Sequence, residues 1–327
     1  MAQNSMPVQA SGYKSIWDTP LAKGVKFAGT IIDRNWEESF ISRIANTSIL
    51  QDLTKCAQMI QFKKPPQAGP WRPYELNQTL ITDQPTQDSF CVTICGSAYK
   101  SLKIDKEDIR RACDDWPEFE QGFLDDSWRQ FENLLHYSLL GRMQLSVGSR
   151  NLGARAGRDG NINLGTLTSA LHLSPDNILN FFTRMKMVLQ QAGRWYEGEM
   201  FMVVPEEMSV LLLETMFAKQ LCCNMSESLL FKGLVATNIL GFTIIESQRL
   251  RPTIDRQTNR LVYPILAGWN EAYAFTADIV DADLVEMERS FGVLYKMLGV
   301  YGGGVIYPEA LAKAYVTFST AGLVPSP

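Results

Sequence analysis

Residues 114 to about 145 constrain the fold most, because they carry the pattern of one long amphipathic helix. Asp114 and Asp115 stand where N-caps belong, and Pro117 fits a first helical turn, where a missing N–H is tolerated. Large apolar residues then recur at spacings of four, three, four and four, which defines one helix face: Leu124, Trp128, Phe131, Leu135 and Leu139. At about 1.5 Å per residue the helix spans roughly 40 Å, which is longer than a small domain needs. We predict a rigid helix from which less regular segments extend.

The composition is that of an ordinary globular protein. The 327 residues leave room for a sizeable core and two or more lobes, and the hydrophobic and charged fractions are 46% and 20%. The net charge of −4, without a long basic run, disfavours a tight grip on a nucleic-acid backbone. No apolar run approaches the length of a membrane span, and the first residues lack the apolar core of a signal peptide. We therefore expect a soluble chain made in the cytosol, without a membrane partner.

Signatures of catalysis or metal binding are missing from the sequence. The cysteines lack metal-ligand spacing, and we interpret them as reduced thiols: Cys56, Cys91, Cys95, Cys113, Cys222 and Cys223. Five acids near the end do not match a calcium loop and fit a solvated or subunit-facing charged row better: Asp278, Asp281, Asp283, Glu286 and Glu288. We expect no catalytic residue, cofactor or metal. The alternative from another class is a small-molecule hydrolase of α/β type that depends on His136 or His172.

Two segments before the helix carry large side chains without a core of their own. Residues 1–52 scatter aromatic residues such as Trp17 and Trp36 among polar ones, which predicts an arm that lies on another surface, such as a neighbouring chain. Residues 53–104 place strand-like runs on both sides of a proline-rich middle, which predicts an extended β-hairpin excursion. The middle contains Trp71, Arg72 and Tyr74, and its aromatic residues favour docking on a partner. We interpret the neighbouring Lys63 and Lys64 as a solvated pair rather than as phosphate ligands.

A glycine-rich segment with three arginines follows the helix. Arg150, Arg155 and Arg158 among glycines suggest a phosphate-binding loop, but no Gly-Lys-Ser/Thr ending follows and a helix, not a strand, precedes them. We interpret the segment as a flexible surface loop that meets a neighbouring subunit. Residues 164–275 then alternate helix and strand patterns, and the last 45 or so residues return to extended structure. The fold class expected from this order is α+β.

Several sequence segments resemble those of one known family. Their residues are Gly198–Glu207, Gly233–Ser247, Ala267–Phe275, Ser290–Gly292 and Tyr301–Leu311. With the order of elements, these segments are similar to the major capsid protein of tailed phages, of the Hong Kong 97 type. The resemblance implies an arm over 1–52, an extended loop (E-loop) over 53–104, a peripheral domain with a spine helix over 105–163 and 276–327, and an axial domain over 164–275.

The resemblance also implies a function. Hexamers and pentamers would form an icosahedral shell in the virion, assembled in the host cytoplasm, that packages double-stranded DNA and contacts it weakly. Candidate partners besides the chain itself are portal, scaffolding and decoration proteins, and an encapsulin-like compartment is the alternative within the same fold. No lysine and asparagine pair for covalent cross-linking can be assigned. The residues expected at contacts between subunits are Trp17, Trp36, Lys63, Lys64, Trp71, Arg72, Tyr74, Arg150, Arg155 and Arg158.

Overall fold

The helices and strands follow from a computed structural model that describes most of the chain from residue 39 onwards. The described residues are 39–47, 59–63, 89–106, 116–220, 238–255, 259–287 and 291–318, with isolated positions at 69, 71–73, 76, 79, 82, 84 and 87. The predicted helix caps, Asp114 and Asp115, lie outside these residues, as does most of the predicted arm.

The described residues form a mixed helix-and-sheet fold, as the sequence predicts. The helices are α1 (Ile41–Ile44), α2 (Trp116–Leu145), α3 (Ile178–Gln191) and α4 (Glu206–Gln220). The strands are β1 (Met59–Lys63), β2 (Ser89–Asp105), β3 (Leu171–Leu173), β4 (Met200–Val204), β5 (Asn238–Ile239), β6 (Phe242–Glu246), β7 (Thr253–Ile254), β8 (Leu261–Trp269), β9 (Tyr273–Glu286), β10 (Gly292–Val305) and β11 (Leu311–Phe318). Among the helices, none combines the length and the apolarity that crossing a membrane requires in the described part of the chain.

The strands form two sheets. In the larger sheet the order is β3-β11-β8-β4-β6-β5, with β7 paired to β8. Strand β4 runs parallel to β6 and antiparallel to β8, and all of its five residues are buried, which explains its uninterrupted apolar sequence. In the smaller sheet the order is β1-β2-β10-β9, so β9 is an edge strand. Strands β1 and β2 are antiparallel, and their register pairs Lys63 with Ser89.

The described residues divide into two compact units. The smaller comprises those within 97–131 and 279–299, and the larger comprises those within 37–96, 132–278 and 300–327. In the smaller unit, Phe123 of α2 meets Tyr295 of β10 with ring centroids 6.2 Å apart, and Phe131 packs against Gly299 of the same strand. Helix packing on a strand surface is what holds this unit together in the described residues.

The core of the larger unit lies between its sheet and helix α3. At 14 residues, α3 is too short to be stable alone, so its buried face decides its position. That face consists of Ile178, Phe181, Phe182, Met185, Val188 and Leu189. Gly193 ends the helix with a positive φ of 68°, and the N–H of Arg194 donates to the carbonyl of Leu189 at 3.1 Å.

The predicted apolar face of α2 is only partly a core face. Leu135 and Leu139 are buried, but Leu124 and Trp128 are exposed, with 38% and 51% of their surface accessible. Only the second half of this stripe therefore faces a core within the described residues. Spacing tells which residues share a helix face, but it does not tell what covers that face.

Candidate assembly surface

The glycine-rich segment after α2 is anchored to the end of the fold. We call residues 148–165 the arginine loop. The N–H of Gly148 donates to the carbonyl of Pro308 at 3.0 Å, and the N–H of Tyr315 donates to the carbonyl of Leu164 at 3.0 Å. Between these contacts, Leu152 forms a parallel bridge with Lys313 of β11. Contacts to residues more than 140 positions away thus fix both ends of the loop.

Hydrogen bonds inside the arginine loop give it one defined shape. Ala156 and Ile162 bond to each other in both directions, at 2.7 and 3.1 Å, and the N–H of Gly157 donates to the carbonyl of Arg150 at 2.7 Å. Gly165 has a φ of 79°, and a Cβ there would collide with the carbonyl of Tyr315. The interpretation as a flexible surface loop is therefore corrected: the glycines permit tight turns rather than motion.

Asn151 is the main side-chain anchor of the loop. It is buried, and its Nδ2 donates to the carbonyl of Glu309 at 2.6 Å and to that of Leu311 at 2.9 Å. Both hydrogens of the amide are used, so this side chain ties the loop to β11. No local sequence pattern marks this role, because the partners are carbonyl groups about 160 residues away.

A cavity of about 500 Å³ opens beside the arginine loop. We call it the loop cavity. Its lining includes Arg150, Arg158, Gln191 and Glu309. The backbone N–H of Arg158 donates to Oε1 of Gln191 at 2.9 Å, which joins the loop to the end of α3. The side chains of Arg150 and Arg158 are exposed, so the cavity presents positive charge to the solvent.

Large apolar side chains are exposed at several described positions. Tyr99, Trp128 and Phe291, all in the smaller unit, expose 83%, 51% and 86% of their surfaces, and Trp71 is fully exposed. Single exposed apolar residues are normal, but exposed tryptophan and phenylalanine are costly in water and are typical of surfaces that bind other proteins. Tyr99 and Phe291 were missed in the sequence, because no periodicity marked them as exposed.

The structure locates six of the ten residues expected at subunit contacts. Lys63, Trp71, Arg72, Arg150, Arg155 and Arg158 are all exposed. The arginine loop brings its three arginines into one segment, with Arg150 and Arg158 facing the loop cavity and Arg155 outside its lining. The other four expected contacts lie outside the described residues: Trp17, Trp36, Lys64 and Tyr74.

The two histidines do not form a catalytic site. His136 is buried; its Nδ1 donates to the carbonyl of Glu132 at 2.8 Å, and its Nε2 accepts the N–H of Phe40 at 3.3 Å. Burial and the charge of Arg249 lower the pKa of His136 to about 4, against the opposing effect of Glu132. Both ring nitrogens are thus engaged in structure. His172 is exposed on β3, and the described residues contain no group of three or more potential metal ligands.

Sequence comparison finds no relative: no protein-family model and no curated protein matches the chain. Comparison of structures finds several similar folds. The capsid structure of cyanophage P-SCSP1u is similar at a TM-score of 0.64 and 11% identity, over 94% of this chain and 96% of that one. The mature capsid of bacteriophage PhiM1 is similar at 0.61 and 15%, over 92% of each chain. A structure from Mycobacterium phage Che8 is similar at 0.61 and 17%, over 91% of this chain and 97% of that one.

Each of these structural similarities extends over nearly the whole length of both chains compared. The first two of these structures are phage capsids, and the chain shares their fold over more than nine tenths of its length. The chain therefore has the fold of the capsid proteins of tailed phages.

Proposed function

We propose that this chain is a major capsid protein of the Hong Kong 97 type. Copies of it assemble as hexamers and pentamers into an icosahedral shell that packages double-stranded DNA. One observation carries the proposal: the fold matches phage capsid structures over more than 90% of the chain. Fold alone does not determine function, so the proposal also depends on the surface.

The exposed aromatic residues support self-association. A chain that leaves Tyr99, Trp128 and Phe291 in water gains free energy when a neighbour covers them. Stable interfaces bury on the order of 1,600 Å² in total, and a closed shell repeats each contact many times. Repetition by symmetry lets modest individual contacts hold a large particle together.

In this proposal the segments take the roles that the resemblance implies. Residues 1–52 act as an arm, and 53–104 act as the E-loop, with Trp71 at a contact to a neighbouring subunit. Residues 105–163 and 276–327 form the peripheral domain, with α2 as the spine helix, and 164–275 form the axial domain. The paired strands β1 and β2 suit the base of such a loop. The end of the arm lies on its own chain, since Phe40 and Ile44 are buried there.

The partners and location follow from the same proposal. The shell belongs to the virion and assembles in the host cytoplasm, with portal, scaffolding and decoration proteins as candidate partners. The net charge of −4 suits a wall that encloses DNA without binding it tightly, because each firm phosphate contact would oppose movement of the DNA.

Expression of the full chain, followed by gradient sedimentation and negative-stain microscopy, tests the proposal. We expect rings or closed shells, and a dependence of the assembled fraction on protein concentration. A chain that sediments as a uniform monomer or dimer, at every concentration and also when coexpressed with a scaffolding protein from the same genome, would contradict the proposed function.

A further inference from the structure

The loop cavity carries positive charge that the described residues do not neutralise. Arg150 and Arg158 line it, and no acid of the described chain forms an ion pair with either guanidinium. Glu309 is the acid in the lining, so two arginines face one glutamate. The hydrogen bonds of the arginine loop fix its backbone, which makes the cavity a preorganised site rather than a mobile one.

Strand β9 carries two exposed negative charges at a spacing that suits the two arginines of the loop cavity. Asp281 and Asp283 are exposed at alternate positions, and within the described residues neither forms an ion pair, whereas Glu286 pairs with Lys106 at 2.7 Å. Residues two apart on a strand project to the same side, about 7 Å from each other. Since β9 is an edge strand, its outer side is not paired to another described strand.

We propose that the loop cavity of one copy receives Asp281 and Asp283 of β9 from a second copy of the chain. Two carboxylates about 7 Å apart match two arginines on a cavity wall, and guanidinium groups bind carboxylates in a bidentate way. The inference rests on the proposed shell-forming function, because it names a contact between neighbouring subunits. The two surfaces are different patches, so the contact is head-to-tail, which is the kind of contact that builds a ring when its rotation closes.

A second copy of the chain is a better occupant of the loop cavity than a dissolved anion. A small-anion site normally surrounds its ligand with buried donors, but Arg150 and Arg158 are exposed on the wall of an open cavity. A partner strand fills such a volume and brings two charges at once, at the high local concentration that a shell provides. The acids on β9 have another possible role, which is to prevent pairing of exposed sheet edges, and the experiment below separates the two.

Charge reversal in the full chain tests the contact. The variants are Arg150→Glu/Arg158→Glu, Asp281→Arg/Asp283→Arg, and the chain that carries all four changes. Like charges at a contact oppose association, so each double variant should reduce the assembled fraction at least about tenfold at moderate salt. The fourfold variant restores opposite charges and should recover most of the assembly. Arg260→Glu is the control, because Arg260 is an exposed arginine of the same unit that does not line the cavity and is not among the expected contacts, so this variant should assemble like the wild type.

A cysteine cross-link measures the contact without reversing charge. With Arg158→Cys and Asp281→Cys in one chain whose six native cysteines are replaced by serine, a short bifunctional maleimide should link assembled chains into a ladder that is absent when either change is made alone. The circular dichroism spectrum and melting temperature of each variant show whether it folds.

Each outcome has a distinct meaning. Folded double variants that assemble normally, or a fourfold variant as defective as they are, would overturn the contact. A melting temperature raised by inorganic phosphate, together with normal assembly of the variants, would make the cavity an anion site instead. If the wild type itself fails to assemble, the proposed function falls, and this contact with it.

Discussion

The backbone N–H of Phe40 donates a hydrogen bond to Nε2 of His136, at 3.3 Å, across 96 positions of the chain. The rings of the two residues also meet at a centroid distance of 4.4 Å. Because Nδ1 of the same imidazole donates to the carbonyl of Glu132, only the neutral ring satisfies both bonds. The segment around Phe40 is therefore held by an imidazole that must stay unprotonated.

The stability of the unassembled chain should fall in acid because of His136. Its pKa is about 4 in the folded chain and 6.5 in the unfolded chain, so only the unfolded chain takes up the proton as the pH falls between these values. The free energy of unfolding should be unaffected by this group above pH 6.5, and should decrease by up to about 3 kcal/mol by pH 4. Urea denaturation at a series of pH values, for the wild type and for His136→Gln, measures the difference. An equal pH dependence in the two chains would show that His136 is not the cause.

Gly96→Ala should destabilise the larger unit. A Cβ at Gly96 on β2 would overlap the ring of Tyr301 on β10, so the ring must move out of its place. Overpacking of this kind costs about 1–3 kcal/mol. Gly141→Ala is the control, since nothing lies within 4 Å of that Cβ in helix α2, and it should stabilise the chain by about 0.5–1 kcal/mol. Denaturant titration of both variants gives the sign and the size of each effect.

Combining Gly96→Ala with Tyr301→Ala tests the mechanism of that loss. With the ring removed, the added methyl group at position 96 should cost less than it does beside the wild-type tyrosine. Additive free energies in the double-mutant cycle would mean that the clash with Tyr301 is not the source.

Asn151→Ala should loosen the arginine loop. The change leaves the buried carbonyl of Leu311 and the partly buried carbonyl of Glu309 without their side-chain donor, which costs about 1–3 kcal/mol. Asn163→Ala is the matched control: its side chain accepts the N–H of Gly165, but the residue is exposed and water can replace it. Thermal melting compares the two, and faster amide exchange at Gly157 and Leu164 should accompany only the first. Equal effects of both changes would argue against a special role for Asn151.

Trp128→Ser should weaken assembly without weakening the fold. The side chain is half exposed on α2, so the unfolding free energy of the unassembled chain should change by no more than about 0.5 kcal/mol. Loss of a tryptophan from an interface can cost about 2 kcal/mol or more per contact, and the assembled fraction should fall accordingly. Gradient sedimentation reports assembly and circular dichroism reports folding.

Leu139→Ser, at a buried position of the same helix, should instead lower stability. If Trp128→Ser forms shells as the wild type does, Trp128 does not lie at a contact between subunits.

Local patterns predicted the elements well. The apolar spacing in α2, the stop at Gly193 and the apolar run of β4 all depend on neighbours within a few residues, and each has its counterpart at Trp116–Leu145, at the end of α3 and at Met200–Val204. The turn before α3 shows the limit of such patterns: Ser174 followed by Pro175 is typical of a helix start, but the helix begins at Ile178. Oδ1 of Asn177 accepts the N–H of Ser174 and stabilises a separate turn first.

Distant contacts could not be read from the sequence. The arginine loop looked flexible because its glycines were visible and its anchors on β11 were not. Likewise, the exposure of Leu124 and Trp128 depends on what packs on α2, which a helical period does not specify. The three arginines were found because charge among glycines is a local signal, whereas the cavity that two of them line is a product of tertiary structure.

The position of β11 sets an order of events during synthesis. This strand lies between β3 and β8, which come earlier in the chain, so the sheet stays in two pieces until residues 311–318 have left the ribosome. Pairing across such long separations is slow compared with helix formation. A nascent chain therefore cannot complete the larger unit early, and polysomes would carry chains in which this sheet is still open.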